Sequence, residues 1–400
     1  MKTRVAVLFG GHSVEHEVSI ISGIQALQAL DTEKYEAFPL YIAKDNTWYV
    51  GENLRRVESF RDMHTCLAAA TRVVPVSDGA AVGLWRHPAK KFGNNCVAIF
   101  DVAIPVVHGT NVEDGTLMGM LEMLNIPYAA CDVTASALGM DKYAMKAVLR
   151  QAGVPVLEAL QFTGREYAMD GDRVLKEIEE QIGYPVIVKP VNLGSSVGIS
   201  KARDRKSLVD ALDLAVSFSP RVLVERAVEH LREINCAVLG DADEARASAC
   251  EEPLNAEDIL TFGDKYLNGG KKTGVSQGMT DLKRRCPAEL PEGMTEEVQQ
   301  LAVRTFRALG CLGVARIDFL NDRESGRLWV NEINTIPGSL SFYLWQEVGV
   351  SFPELMDTLV TLAFKRQRQR AALTFTYESN ILAGFSGGKT GAKGGKLSSR

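Results

Sequence analysis

The feature that most constrains this chain is a pair of apolar segments separated by a short polar stretch. Residues 314–320 (VARIDFL) and 328–339 (LWVNEINTIPGS) are rich enough in β-branched and apolar side chains to form strands, and NDRESGR between them is turn-forming. We predict that the two strands are the arms of one antiparallel hairpin. We expect its turn near Ser325, and we expect the hairpin to lie in the middle of a buried sheet.

Four polar side chains of this hairpin fall on one face. Side chains alternate along a strand, so Arg316 and Asp318 share a face, and so do Glu332 and Asn334. A turn near Ser325 sets Asp318 opposite Glu332. Two carboxylates that close cannot both stay ionised in a buried sheet without a counter-charge. We expect a divalent cation to supply it, and oxygen-only ligands suit Mg²⁺. The alternative is an Arg–Asp pair that only stabilises the hairpin.

Composition narrows the class of protein. A chain of 400 residues indicates two or three domains, and 46% hydrophobic with 24% charged residues is typical of globular proteins. A net charge of −5 gives no reason to expect nucleic acid as a partner. No apolar run reaches the ~18–20 residues of a membrane helix, and the VAVLF run is too short for a signal sequence. Seven scattered cysteines without a C-x-x-C pair indicate free thiols in a reducing compartment. We therefore expect a cytoplasmic protein with no membrane partner.

The N-terminal part alternates strands and helices, which indicates a doubly wound sheet. A strand at 4–9, a Gly-Gly turn and a helix at 14–30 with Ser13 as its N-cap come first. GGHSVE lacks the spacing of a dinucleotide-binding loop. Glu15 is therefore either a ligand-binding residue at the carboxyl end of a strand or a first-turn residue that complements the helix dipole.

A second strand-to-helix junction follows. A strand at 97–107 runs into HGTNVEDGT, and a helix is predicted at 117–124. The junction brings together His108, Glu113 and Asp114.

The middle of the chain carries lysines in unusual places. A helix at 135–151 contains Lys142 and Lys146, which by themselves would be solvated. Next, YPVIVKPVNLGSSVGISKA predicts two strands joined by a glycine- and serine-rich tip, whose backbone N–H groups suit phosphate. Lys189 interrupts the first of these strands. Because a buried, unpaired ammonium is costly, we expect an anion beside Lys189, and a nucleotide phosphate is the natural one.

The C-terminal part closes with two helices and a tail. After a strand at 221–225, residues 251–287 form a long polar stretch of the kind that serves as a functional lid or is disordered. Helices are predicted at 295–309 and 350–366. From residue 371 onward the composition becomes basic and low in complexity, and we exclude this tail from the fold argument.

Seven motifs in order carry a resemblance to a known family. GGHSVEHEVS, HGTNVEDGT, MDKYAMK, VIVKPVNLGSSVG, DKY, ARIDF and NEINTIPG make the chain resemble the D-alanine–D-alanine ligases of the ATP-grasp superfamily from residue 4 to about 365. The resemblance implies an α/β (α+β) protein, with an ATP-grasp fold behind an N-terminal doubly wound α/β domain. It implies an N-terminal substrate domain (1–134), a central domain with the glycine-rich hairpin (135–226), a C-terminal domain with the lid and metal hairpin (227–370), and the tail (371–400).

The same resemblance implies roles for single residues. The ATP-binding set is Lys142, Lys189, Ser196, Glu225, Arg226, Val228, Glu233 and Lys265. The catalytic set is Glu15, Ser195, Tyr266 and Arg316. The set that binds the amino-acid substrates is His108, Gly338, Ser339, Ser341 and Tyr343. Two Mg²⁺ ions, for which Mn²⁺ can substitute, would be bound by Asp318, Glu332 and Asn334.

The activity that the resemblance implies is the ATP-dependent joining of two D-alanines for peptidoglycan synthesis, by a homodimer. ATP would phosphorylate the first carboxylate, and the second amine would attack the acyl phosphate under a lid that excludes water.

One departure leaves alternatives open. Tyr343 stands where the family commonly supplies a serine for the carboxylate of the second substrate. The alternatives are a ligase with a different second substrate, a carboxylate–amine ligase outside cell-wall metabolism, and a non-catalytic ATP-binding regulatory protein.

Overall fold

The computed structural model describes residues 2–77, 82–194, 197–254 and 284–376 of the chain. Its strands form a seven-stranded, a four-stranded and a five-stranded sheet. The strands are β1 (Thr3–Gly10), β2 (Tyr35–Ile42), β3 (Trp48–Val50), β4 (Thr71–Ser77), β5 (Val82–Arg86), β6 (Cys96–Phe100), β7 (Val102–Pro105), β8 (Ala159–Thr163), β9 (Val186–Pro190), β10 (Ser200–Ala202), β11 (Arg221–Arg226), β12 (Leu231–Gly240), β13 (Ala245–Pro253), β14 (Arg284–Arg285), β15 (Gly313–Asp322) and β16 (Leu328–Asn334). The helices are α1 (His16–Ala29), α2 (Met63–Ala68), α3 (Thr116–Met123), α4 (Val133–Met140), α5 (Lys142–Gln151), α6 (Gly164–Met169), α7 (Gly171–Gln181), α8 (Arg205–Phe218), α9 (Met294–Ala308), α10 (Phe342–Gln346) and α11 (Phe352–Ala371), with 3₁₀ turns at Glu52–Arg55, Val57–Arg61 and Gly338–Ser341.

The seven-stranded sheet has a parallel and an antiparallel half. In the order β6-β5-β4-β3-β2-β1-β7, strand β1 pairs in parallel with β2 and β7. The remaining strands, β3 to β6, extend the sheet from β2 by antiparallel pairing. The parallel half fits the doubly wound prediction. Strands β3 to β5 of the antiparallel half lie between residues 46 and 95, for which the sequence predicts no strand, whereas β6 overlaps the strand predicted at 97–107.

The single strand predicted at 97–107 is wrong. β6 and β7 lie at opposite ends of the strand order and are separated by Asp101 alone. The Asp101 carboxylate accepts a hydrogen bond from the backbone N–H of Arg4 at 2.8 Å and pairs with the Arg4 guanidinium at 2.6 Å. This contact fastens the junction to β1, so the sheet must curl for its two ends to meet there.

The first helix begins later than predicted. Its N-cap is Glu15, which makes no side-chain capping bond, and the predicted cap Ser13 lies two residues upstream. The Ser13 hydroxyl accepts instead from the backbone N–H of Glu15 at 3.1 Å. The serine thus stabilises the turn before the helix, and the Glu15 side chain is left for another role.

The helix predicted at 135–151 is two helices, because Asp141 breaks it. Asp141 has an extended backbone (ψ 95°), and its carboxylate caps α5 by accepting from the backbone N–H of Ala144 at 2.9 Å. The same carboxylate pairs with Arg221 at the start of β11. The break therefore turns the first residue of α5, Lys142, towards the four-stranded sheet.

Two further sheets carry the rest of the chain. The glycine-rich hairpin, β9 with β10, is present as predicted. It lies at one edge of the antiparallel order β10-β9-β11-β8. The other order is β14-β13-β12-β15-β16. The long loop predicted at 251–287 is therefore too long at both ends, because residues 251–253 complete β13 and residues 284–285 form β14. The lid itself lies outside the described residues.

The hydrophobic cores join parts that are distant in sequence. Met145 and Leu149 of α5 pack with Ile317 of the five-stranded sheet, whereas Leu355 and Leu359 of α11 pack with the seven-stranded sheet. The domain boundaries at 134 and 226 stay predictions. None of the helices in these ranges is long and apolar enough to span a membrane.

Candidate active site

The hairpin register is confirmed. β15 and β16 are antiparallel, with Arg316 opposite Asn334 and Asp318 opposite Glu332. However, β16 is the edge strand of its sheet, so the prediction that the hairpin lies in the middle of a buried sheet is wrong. All four side chains are half-buried, which leaves them accessible to a ligand.

Asp318 is the most heavily bonded of the four. The Arg316 guanidinium donates to both of its oxygens, at 2.7 and 2.8 Å, and the Asn334 amide donates to Asp318 Oδ2 at 3.0 Å. Burial alone would lower the pKa of Arg316, but the charge of Asp318 and these bonds raise it well above its usual value. The Arg–Asp pair of the alternative interpretation is thus present, with Glu332 and Asn334 beside it.

A β-bulge sets the side chain next to Glu332. Asp318 pairs with Glu332 while Phe319 pairs with Val330, so Asn331 is the extra residue on β16. Its amide oxygen accepts a hydrogen bond from Lys189 Nζ at 3.1 Å. The bulge therefore connects the five-stranded sheet to the lysine of the glycine-rich hairpin.

Three buried charges, Lys146, Lys189 and Glu225, form what we call the lysine cluster. Lys189 Nζ lies 2.5 Å from Glu225 Oε1, and Lys146 Nζ lies 2.9 Å from Glu225 Oε2. Burial would raise the pKa of Glu225, but the two ammonium groups outweigh it and lower that pKa, whereas burial lowers the pKa of Lys146. The anion that we expected beside Lys189 is thus supplied in part by Glu225. One carboxylate therefore faces two lysine side chains, and it neutralises only one of them when both are protonated.

Lys142 connects the hairpin to the loop that follows β9. Its ammonium group donates to the backbone carbonyl of Leu193 at 2.7 Å and lies 3.3 Å from Glu332 Oε2. Lys142 and Lys189 therefore contact neighbouring residues of β16 from the direction of the four-stranded sheet. The two lysines therefore bring positive groups into contact with the hairpin, next to its carboxylates.

The rest of the predicted ATP-binding set is scattered along the end of β11 and the start of β12. Arg226 is exposed, Val228 is half-buried, and Glu233 lies opposite Leu320 of β15. Glu225 is 1% exposed and engaged with the lysines, so its carboxylate does not face solvent. Four predicted residues lie outside the described ranges, namely Ser195, Ser196, Lys265 and Tyr266.

Glu15 and His108 come together as predicted, at the carboxyl ends of β1 and β7. A Cβ placed on Gly109 would lie 2.8 Å from Glu15 Oε2, and one on Gly194 would lie 3.5 Å away, so Glu15 sits between these two loops. His108 Nδ1 donates to the backbone carbonyl of Ile336 at 2.9 Å, and Nε2 lies 3.1 Å from the Ser22 hydroxyl. Burial lowers the pKa of His108, which favours the neutral imidazole that these two contacts need.

Glu113 is a residue of the site that we did not single out for a role. Its carboxylate accepts from the backbone N–H of Gly109 at 2.7 Å and from that of Ile336 at 3.3 Å. Burial, and then repulsion by Glu15, raise the pKa of Glu113 to about 8. The motif HGTNVEDGT indicated a polar junction, but a contact spanning more than two hundred residues leaves no local signal.

The segment after β16 holds its serines in the interior. Ser339, Leu340 and Ser341 have left-handed backbones, with φ of 49°, 54° and 52°. The Ser339 hydroxyl donates to Gln25 Oε1 at 2.7 Å, and the Ser341 hydroxyl is buried with no hydrogen-bond partner in the described ranges. Gly338 opens this turn. Both serines are therefore buried, with exposures of 1% for Ser339 and 0% for Ser341.

The donor set of the hairpin fits Mg²⁺. It offers oxygens from Asp318, Glu332 and Asn334, and one or two carboxylates with water and phosphate are the usual Mg²⁺ environment. Within residues 2–77, 82–194, 197–254 and 284–376 there is no group of three His, Cys, Asp or Glu side chains that could bind a metal ion. A softer metal such as Zn²⁺ has no comparable set of ligands there.

Comparisons with known proteins bear on the same site. Residues 4–131 match the family model for the D-ala D-ala ligase N-terminus, and residues 148–361 match that for the D-ala D-ala ligase C-terminus. The chain is 38% identical to the D-alanine–D-alanine ligase of Acetivibrio thermocellus, over 91% of this chain and 96% of that protein. It is also 38% identical to the ligase of the same name from Caldicellulosiruptor bescii, over 94% and 99% of the two chains.

Solved structures agree. The VanG D-Ala:D-Ser ligase from Enterococcus faecalis superimposes with a TM-score of 0.75 at 30% identity, over 91% of this chain and all 100% of that one. The D-alanine–D-alanine ligase from Coxiella burnetii gives 0.74 at 29% identity, over 92% and 96%. With both family models matched across most of its length and full-length relatives at this identity, the chain belongs to the D-alanine–D-alanine ligase family.

Proposed function

We propose that this chain is an ATP-dependent ligase that joins two D-alanines to D-alanyl-D-alanine for peptidoglycan synthesis. Family membership supports the reaction. The observation that carries the proposal is that Lys142 and Lys189 contact β16 next to the Asp318–Glu332 pair, because this sets phosphate-binding cations beside oxygen ligands for a metal ion.

Charge explains why the lysine cluster needs a ligand. Lys146, Lys189 and Glu225 are each at most 3% exposed, and they carry one excess positive charge when both lysines are protonated. A buried net charge is unfavourable unless it is paired, so a phosphate group next to Lys189 would stabilise the cluster. ATP supplies such a group, and Lys142 can bind a second phosphate oxygen from the side of Glu332.

Mg²⁺, when bound by Asp318, Glu332 and Asn334, would neutralise charge that develops on the transferred phosphoryl group. Arg316 lies on the same face and can stabilise an oxyanion on the carbonyl carbon under attack.

Glu15 and His108 bind the first amino acid in this proposal, at the edge where the two N-terminal loops meet the glycine-rich hairpin. A carboxylate oxygen of that amino acid attacks the terminal phosphorus of ATP, ADP leaves, and an acyl phosphate forms. The amine of the second amino acid then attacks the carbonyl carbon, phosphate leaves with the bonding electrons, and the amine loses a proton. Positioning and charge neutralisation carry the reaction, with no covalent bond to the protein.

D-Serine is the second candidate for the acceptor amino acid. Tyr343 stands where the family commonly supplies a serine, and one of the structures most similar to this chain is named a D-Ala:D-Ser ligase. D-Alanine is favoured because two curated relatives that are 38% identical to this chain carry the D-alanine–D-alanine name.

We further propose a cytoplasmic homodimer. The dimer follows from the resemblance to the family. A reducing compartment is supported by the seven cysteines, all of which are free thiols.

The test is a screen of amino-acid pairs with ATP and Mg²⁺, read out by phosphate release and by the mass of the product. D-Alanine alone should give ADP, phosphate and D-alanyl-D-alanine. ADP formation with a product from another acceptor only would replace D-alanine as the second substrate, and no D-alanine-dependent ADP formation would overturn the ligase function.

A further inference from the structure

A row of polar side chains crosses the five-stranded sheet on the face of the active site. Glu251 of β13 pairs with Asn235 of β12, Asn235 pairs with Asp318 of β15, and Asp318 pairs with Glu332 of β16. Directly paired residues point to the same side of a sheet. The row therefore continues the metal-ligand pair towards β13, where none of our predicted site residues lies.

At the β13 end of this row stands Tyr343, the residue that replaces the family's serine. Its hydroxyl donates to Glu251 Oε1 at 3.0 Å, and the Asn235 amide donates to the same oxygen at 3.0 Å. Burial and the nearby charge of Glu251 raise the pKa of Tyr343, so the phenol stays protonated and keeps this bond. The single hydroxyl proton of Tyr343 is thus already committed, and it cannot also be donated to a substrate carboxylate.

Arg284 completes this group, which we call the acceptor cluster (Tyr343, Glu251 and Arg284). Its guanidinium lies 3.9 Å from the centre of the Tyr343 ring, and Arg284 Nη1 lies 3.4 Å from Glu251 Oε2. Pairing of Arg284 with Pro253 places it on the Glu251 side of the sheet, because residues two apart on a strand share a face. The Arg284 side chain is 12% exposed, so water does not fully satisfy it.

The guanidinium of Arg284 has donors to spare. Among the described residues its only ion pair is the one with Glu251, and a guanidinium carries five N–H groups in a planar fork. Arg316, the other arginine on this face, already donates to both oxygens of Asp318. Of these two arginines, Arg284 therefore has more N–H groups that no described residue accepts from.

We infer that Arg284 binds the carboxylate of the second amino acid, and that Tyr343 serves as the aromatic surface that orients the guanidinium. This inference rests on the proposed ligase function. The second amino acid brings a carboxylate that must be neutralised once water is excluded, and a planar guanidinium can bind both of its oxygens. The Tyr343 ring holds that plane by stacking, and Glu251 fixes one end of the fork. The serine of other family members is thus replaced here by an arginine from a different strand.

The competing explanation is that Arg284 only fastens β14 to β13 through Glu251. The two roles differ in what a substitution changes. A structural clamp affects stability and overall turnover, whereas a substrate-binding group affects the choice between acceptors with and without a carboxylate.

The experiment compares D-alanine with D-alaninamide, which lacks the carboxylate, as competing acceptors. Both are supplied with ATP and Mg²⁺ at a D-alanine concentration that saturates the first site, and the two dipeptide products are separated by mass. The variants are Arg284→Met and Arg284→Lys. The matched control is Arg285→Met, because Arg285 is the next residue of β14, is 44% exposed and pairs with Glu252 on the opposite face.

The wild type and Arg285→Met should make mostly the acid product. Arg284→Met should raise the amide-to-acid ratio by about 10- to 100-fold, the range for losing a charge-assisted bond, while D-alanine-dependent ADP formation persists. Arg284→Lys keeps the charge but loses the planar fork, so its ratio should fall between those of the wild type and Arg284→Met. The Lys variant also keeps the test open if the Met variant does not fold.

An unchanged product ratio in Arg284→Met or in Arg284→Lys, with ADP formation intact, would overturn the inference and leave the ligase function standing. Absence of D-alanine-dependent ADP formation in the wild type would overturn the ligase function and this inference with it.

Discussion

The lysine cluster and the acceptor cluster differ in how well their charges are balanced. In the lysine cluster one carboxylate, Glu225, faces two buried lysines, so with both protonated a positive charge remains for a ligand. In the acceptor cluster Glu251 and Arg284 balance each other, and the Tyr343 hydroxyl is bonded to Glu251. The lysine cluster would attract its ligand by net charge. The acceptor cluster can recognise its ligand only through the arrangement of the Arg284 N–H groups that Glu251 leaves unengaged.

The largest predicted effect on this difference in charge balance comes from removing the carboxylate of the lysine cluster. Glu225→Gln leaves the ammonium groups of Lys146 and Lys189 buried without a counter-ion, which should destabilise the protein by about 3–5 kcal/mol. Urea unfolding measures the change. Glu180→Gln is the control, since Glu180 is 65% exposed and pairs with Lys176 at 3.6 Å on a helix surface. A loss in Glu225→Gln no larger than in the control would show that the cluster is not strained by its charge.

Glu332→Gln tests the proposed metal-binding side chains of the hairpin. It removes a metal-ligand charge and the partner of Lys142, so kcat should fall by about 10²- to 10³-fold at saturating Mg²⁺. Glu324→Gln in the exposed hairpin turn is the control, with a side chain that is 74% exposed. Near-normal turnover in Glu332→Gln would contradict the metal assignment.

The polar face of the hairpin could be predicted from the sequence, because strand alternation is a local property. The register of Asp318 with Glu332 follows from the period of two and from the turn, and Lys189 was recognisable as a charge inside an apolar strand. The bulge that aims Asn331 at Lys189 is not visible in the sequence pattern, since the alternation continues through it.

The acceptor cluster could not be predicted for the opposite reason. Tyr343 and Glu251 are 92 residues apart, and Arg284 and Glu251 are 33 apart, so no periodicity connects them. The same is true of β6 and β7, where one apolar run divides at Asp101 because that carboxylate bonds to Arg4. The break at Asp141 could have been read from its capping position, but the contact with Arg221 that favours it is distant.

The pH dependence of stability provides a smaller effect. The pKa of Glu113 is raised to about 8, so the folded protein holds a proton there that the unfolded chain releases near its ordinary value of 4.5. Stability from this group is therefore fully present below the unfolded pKa of 4.5 and is lost as pH rises from there to about 8. Glu113→Gln abolishes the titration. The unfolding free energy of the wild type should fall relative to the variant by roughly 1–3 kcal/mol between pH 5 and 9, whatever their constant offset. A difference that does not change with pH would contradict the raised pKa.

The smallest predicted effect is that of Tyr343→Phe. The ring that stacks on Arg284 remains and only the bond to Glu251 is lost, so stability should fall by about 1 kcal/mol and KM for the second amino acid should stay within about twofold. Steady-state kinetics with varied acceptor measure this. A tenfold rise in KM would instead place the Tyr343 hydroxyl on the substrate, as the family's serine suggests.

The most direct test of the contrast between the two clusters measures two constants in two variants, the ATP dissociation constant by calorimetry and KM for the second D-alanine by phosphate release. Lys189→Met should raise the ATP dissociation constant by about 10- to 100-fold, because it removes a charge-assisted phosphate contact, and leave KM within about twofold. Arg284→Met should do the reverse. If each variant moves both constants by similar factors, the lysine cluster and the acceptor cluster are not separate binding sites for ATP and the second amino acid.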